Sequence, residues 1–221
     1  IAPNKMPKFD AYESMARLVD IGYKCIEISQ VPMTKENVAG FRRAIDELGL
    51  NVAAVSATVK SNPMMPSEEL CNPDDFKKMV EDAKYLNCDM MRIGAMPVES
   101  RFSLQAAIDF AKQADDYAAQ LKEHGIDLYY HNHHFEFARH NGKFLMDIIK
   151  ENTKYLGFEL DIHWIHRGGM DPVKFINQYA GRIRLLHLKD YRIGHMAMPK
   201  DADLTTMEGI MKAYGAANDI V

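Results

Sequence analysis

Six times along this chain an amphipathic stretch ends at a Gly or Asn and a short apolar run follows. The junctions are Gly22, Gly49, Asn87, Gly125, Gly157 and Gly181. They recur about every 30 residues, the length of one helix plus one strand, and that alternation specifies βα units around a parallel sheet. The helices carry their own start signals. Thr34 precedes a face of Val38, Phe41, Ile45 and Leu48. Asn72-Pro73-Asp74-Asp75 offers a cap, a proline at the first helical position and two acids at the positive end of the helix dipole. Ser103 opens a long helix that Gly125 closes, Asp171-Pro172 opens another, and further helices are predicted over 11–21 and 205–214.

The intervening apolar runs predict strands at 24–28, 51–57, 90–94, 127–132, 156–161 and 183–189. Their near-continuous apolar character suits strands covered on both faces. Six strands are visible where a (β/α)8 barrel has eight. No linker interrupts them. The reading is therefore one α/β domain over 1–221, a TIM barrel lacking a strand at each end, with the sequence truncated relative to the native chain. An open doubly wound sheet also accommodates six strands, but the polar strand ends favour the barrel.

Glu27, Ser56, Arg92, His131-Asn132-His133 with Glu136, Asp161, His163, His187, Lys189 and Asp190 all fall at or just past the ends of predicted strands. In a parallel barrel those ends converge on one mouth, where active sites form. Strand alternation sharpens the set. Tyr129, His131 and His133 share a face, as do Glu159, Asp161 and His163, and as do Leu185, His187 and Lys189. If these faces point inward, His131, His133, Asp161, His187 and Lys189 meet in one cavity. Carboxylate plus imidazole suits Mn, Zn, Co or Fe, whereas an all-oxygen set suits Mg. Glu27 is balanced between a substrate contact and a helix-capping partner. His124, His140, His166 and His195 read as solvated or loop residues.

The formal charge of −4 makes a default nucleic-acid partner a poor fit, and no apolar run approaches the roughly 18 residues of a membrane span. The N-terminal residues lack the apolar segment of a signal peptide. Cys25, Cys71 and Cys88 form neither a zinc motif nor an even disulfide framework, and Cys25 and Cys88, in apolar surroundings, read as core thiols. A reducing, cytoplasmic setting is expected.

Four segments resemble one family. The run from Gly125 to Phe137, containing Tyr130-His131-Asn132-His133 and Glu136-Phe137, is similar to the "YHNHxxEF" strand of xylose-isomerase-like sugar phosphate isomerases and epimerases. Glu159 to Trp164, followed by Gly168-Gly169-Met170-Asp171-Pro172, resembles the family's next segment. Gly181 to Asp190 resembles "GRI..LHLKD", and Leu18 to Glu27 resembles "lGYkgvE". The resemblance implies a TIM barrel with one divalent metal at its mouth, Mn first among Mn, Zn, Co, Fe and Mg. Such sites use Glu, Asp, His and Glu from four strands. Asp161 and His187 fall on the Asp and His positions. His131 stands at the first Glu position, so either His131 or Glu136 is the third ligand and the other is the acid–base group. The final Glu belongs to the missing eighth strand.

The implied chemistry is removal of a proton from the carbon beside a carbonyl, giving isomerisation or epimerisation of a sugar or keto sugar. Glu27, His133, His163, Trp164 and Lys189 would contact that carbohydrate. Loss of a β-hydroxyl would instead make a dehydratase, as in inosose dehydratases. A lyase or hydrolase of 3-keto-glycosides, a DNA-acting branch of the same barrel, and a non-catalytic sugar-binding barrel are the other readings. A homo-oligomer is expected by analogy.

Overall fold

The computed structural model describes residues 9–61, 67–190 and 199–218. They divide into two compact units, the first running to His187 and the second from Leu188. His195, expected to be solvated or in a loop, and residues 1–8, 62–66 and 219–221 fall outside the described residues.

In the first unit, β1 (Cys25–Ile28), β2 (Asn51–Ala57), β3 (Met90–Ile93), β4 (Asp127–His131), β7 (Gly157–Asp161) and β8 (Ile183–His187) form one sheet in the order β1-β2-β3-β4-β7-β8. Every pairing in it is parallel. A small antiparallel pair, β5 (Arg139–His140) with β6 (Lys143–Phe144), interrupts the alternation. The helices are α1 (Ala11–Ile21), α2 (Lys35–Leu48), α3 (Pro73–Tyr85), α4 (Leu104–Glu123), α5 (Leu145–Glu151), α6 (Ile162–Arg167) and α7 (Pro172–Gln178). The second unit contains α8 (Met207–Asn218). Among the described residues no helix is long and apolar enough to cross a membrane.

The start signals operate as read. Thr34, Asn72, Ser103 and Asp171 each accept a backbone N–H from the first turn of the helix they open. Gly22 closes α1 at φ 112°, with its N–H returned to the carbonyls of Leu18 and Val19. α8 begins two residues later than expected, because the Thr206 hydroxyl accepts the Gly209 N–H and so marks its first turn. The apolar helix faces are buried on the sheet. Val38, Phe41 and Ala44 lie on α2, and Ala107, Phe110, Ala111, Ala114, Ala118 and Leu121 on α4.

The sheet is curled. Strands β1 and β7 are four places apart, about 19 Å across a flat sheet. Yet Glu27 and Glu159 reach the same guanidinium on the concave face. Arg92, on β3 between them, pairs with both.

Two readings are corrected. Gly157 does not end a helix: α5 stops at Glu151, and Gly157 is the first residue of β7. It pairs with Tyr129, whose ring carbon Cε1 lies 2.3 Å from where a Cβ would stand. The signal at this position is therefore close packing, not a turn. Cys25 is exposed, because it opens β1 at the rim of an edge strand, whereas Cys88 is buried. Burial pushes the Cys88 thiol up to about 11, which leaves it an inert core group.

The Tyr129–Gly157 contact yields the first prediction. Gly157→Ala should lower the stability of the fold by about 1–3 kcal/mol in a denaturant titration. Combined with Tyr129→Leu, which vacates the space, it should cost less than the two single changes summed. Additive costs would show that the ring does not set the requirement.

Candidate functional site

The strand ends bring three predicted residues together. The donor atoms of His131, Asp161 and His187, on β4, β7 and β8, all lie within 4.8 Å of one another. Asp161 Oδ2 is 3.3 Å from His187 Nδ1 and 3.8 Å from His131 Nε2. Asp161 is fully buried, and the His187 side chain is 40% exposed, so the group is reached from one side.

Local structure dictates this placement. Asp161 ends β7 and is the N-cap of α6, where its Oδ1 accepts the Trp164 N–H at 3.0 Å. One oxygen is thus committed to the backbone and the other faces the imidazoles. Asn132, also fully buried, fixes β4 against β7 beyond the last ladder bond. Its Oδ1 accepts the Asp161 N–H at 2.9 Å, and its Nδ2 donates to the Asp161 carbonyl at 3.4 Å. A side-chain carboxamide here does the work of one more backbone pairing and sets Asp161 against His131.

Glu136 is placed apart from that group. It is fully buried, accepts the Tyr130 hydroxyl proton, and accepts the His133 N–H at 2.8 Å. It therefore pins the turn that follows β4. Burial pushes its carboxyl up, against the two hydrogen bonds that stabilise the charge.

Among the described residues Glu27 caps no helix. Its carboxylate accepts the Arg92 Nε–H, and Arg92 Nη2 donates to Ser29 Oγ at 2.8 Å. Burial raises the Glu27 carboxyl against the pull of Arg92. Glu159 goes the other way. Burial works to raise it, but the neighbouring His131 and the Arg92 charge hold it below the ordinary carboxylate range.

The strands end earlier than the alternation supposed, and this changes how three residues arrive. His133 lies two positions beyond β4, His163 is in α6, and Lys189 lies beyond β8 in the second unit. His133 still meets the group, its ring centroid 4.9 Å from that of His131. It stacks on Phe135 at 5.2 Å, and Arg101 covers the Phe135 ring at 3.8 Å. Trp164 packs against His133, His134 and His163 at 5.6, 5.1 and 4.7 Å, forming an aromatic wall beside the three donors.

The sequence reading gives no role to Arg92, Glu159 or Asn132. Glu159 carried the signal, standing two residues before Asp161 on the same face. Arg92 was visible only as a strand-end cation, and the two-way use of Asn132 depends on register.

A profile of the family described as xylose isomerase-like TIM barrel matches residues 15–217. The chain belongs to that family. Two curated inosose dehydratases, from strains of Clostridium perfringens, are 31% identical to it over 96 residues, 42% of this chain and 32% of theirs. The match thus spans about one third of those relatives. A solved sugar phosphate isomerase/epimerase from Parabacteroides distasonis superposes with a TM-score of 0.67 at 22% identity, covering 97% of this chain and 83% of that one. The 3-keto-D-glucoside 4-epimerase of E. coli superposes at 0.60 with 16% identity, over 97% and 85%. A probable 3-DHS dehydratase from Bacillus anthracis gives 0.61 at 15%, over 85% and 69%. These likenesses are of the xylose isomerase-like fold.

Two outcomes follow from this geometry. Asn132→Ala leaves the Asp161 amide buried without its side-chain acceptor. It should lower stability by about 1–3 kcal/mol in chemical denaturation. An unchanged midpoint would remove Asn132 from the account. The second concerns pH. A carboxyl raised in the folded state contributes stability below its ordinary range, near pH 4, and loses it as pH rises through the folded value. Wild-type stability should therefore carry a component that falls as pH rises from that range. Glu136→Gln should lack it, read as the difference between two stability–pH curves. Parallel curves would contradict the assignment.

Proposed function

We propose that this protein is a metal-dependent isomerase or epimerase of a sugar or keto sugar. The observation that carries the reading is the convergence of His131, Asp161 and His187 at the ends of three parallel strands. Two imidazoles and a carboxylate are the donor set of a divalent transition metal, which supplies Lewis-acid polarisation of a carbonyl and its neighbouring hydroxyl. Mn stands first, with Zn, Co, Fe and Mg as the other candidates. The reading takes the whole chain as part of one barrel domain acting on a small carbohydrate.

Within it, His131 is the third ligand in place of Glu136. Support comes from Glu136 being engaged by Tyr130 and the His133 backbone, with no exposed surface. The proton at carbon then passes to a group beside the donors. His133, close to His131, is our candidate. As a neutral imidazole it takes the proton from the carbon next to the carbonyl. Returning it on the same face to the neighbouring carbon gives the isomer, whereas the epimer requires a second acid that delivers a proton to the opposite face. Glu27, His163 and Trp164 are assigned to binding, the indole face packing on sugar C–H groups. A second reading, elimination of a β-hydroxyl as water, is favoured by the similarity to inosose dehydratases.

The test joins metal content to chemistry. Purified protein should carry about one divalent ion per chain, with Asp161→Asn and His187→Ala both losing it. The Asn variant keeps an oxygen to cap α6, so its fold should persist. In deuterated water, the wild type should exchange the carbon-bound proton of its keto-sugar substrate, and neither variant should. Release of water from an inosose, without exchange into recovered substrate, would move the assignment to dehydratase. Stoichiometric sugar binding with neither metal nor exchange would leave a binding barrel.

A further inference from the structure

Glu159 is outside the group of three donors, yet it is placed to decide how one of them is presented. It pairs with His131 in the β4–β7 register, and its side chain is 4% exposed. Its Oε2 lies 3.3 Å from His131 Nδ1 and 3.0 Å from Arg92 Nε. Arg92 is itself fixed by Glu27 and by the Ser29 hydroxyl. The carboxylate is therefore held on the far side of the imidazole, away from Asp161.

We propose that Glu159 is a positioning residue that holds His131 in the tautomer protonated at Nδ1, leaving the Nε2 lone pair directed at Asp161 and His187. A neutral imidazole carries one proton, and a carboxylate beside one nitrogen draws it there. The other nitrogen is then the only one able to act as a ligand. His131 Nε2 is the atom that faces Asp161 Oδ2. The arrangement explains why a buried anion is kept on β7 beside a second buried acid. It supplies the acceptor that neither Arg92 nor Glu27 provides. It also places Arg92 in a supporting role, neutralising Glu159 so that the buried charge is tolerated. The consequence for metal binding rests on the function proposed above; the tautomer does not.

The test uses the whole chain with its histidines labelled with nitrogen-15. In metal-free wild type, long-range nitrogen–proton correlation should show His131 protonated at Nδ1 and bare at Nε2. In Glu159→Gln, whose amide can donate to Nδ1, that pattern should weaken or invert. Zinc affinity by competition titration should fall by about 10- to 100-fold, while thermal stability reports the fold separately. Wild-type His131 protonated at Nε2, whether alone or together with Nδ1, would overturn the proposal. So would a variant that keeps both the tautomer and, within about twofold, the zinc affinity. A wild type that binds no zinc but shows the Nδ1 tautomer, lost in the variant, would uphold Glu159 and sink the metal reading. If the variant does not fold, the wild-type tautomer alone decides.

Discussion

Arg92 sits under the site with a carboxylate on either side, one from β1 and one from β7. Placing three charged groups on the inner face of a sheet is costly unless each is paired. A flat sheet would hold Glu27 and Glu159 too far apart to share one guanidinium. Curling the sheet brings them together, and the same curvature turns the ends of β4, β7 and β8 toward a common point. The ion-pair network and the site are thus two results of one geometric condition.

Economy in the use of polar atoms follows from that condition. At full burial every oxygen and nitrogen needs a partner. Asp161 divides its carboxylate between a helix cap and the imidazoles. Asn132 gives both ends of its amide to the Asp161 backbone. Glu136 joins a tyrosine hydroxyl on β4 to the backbone of the loop that carries His133. Each residue does structural work and, by doing it, orients a group at the rim. Helix caps, turn residues and donor atoms cannot be separated cleanly here, because strand ends are where all three must meet.

Much of this was legible in the chain. Caps at Thr34, Asn72, Ser103 and Asp171 are local chemistry, and local chemistry survives folding unchanged. Asp161 and His187 were legible because alternation holds right up to the final strand residue. Beyond that residue alternation has no force, and so His133 and His163 reach their positions by a turn and a helix rather than by pleat. Gly157 was misread because a glycine at a junction signals a turn in sequence terms, while its real constraint is the ring of Tyr129 across the ladder. Cys25 was misread because an apolar neighbourhood in sequence does not say whether a strand is central or at an edge. The Arg92 network needed residues 27, 92 and 159 to be seen in one place, and no spacing rule connects them.

The central claim is that three side chains from three adjacent strand ends form one ion site. Anomalous diffraction from crystals soaked in manganese or zinc tests it most directly. The account predicts a single strong peak with His131 Nε2, an Asp161 carboxylate oxygen and a His187 nitrogen as its protein ligands, each about 2.0–2.2 Å away. No peak at that position, or a peak ligated by other residues while these three keep to one another, would contradict it.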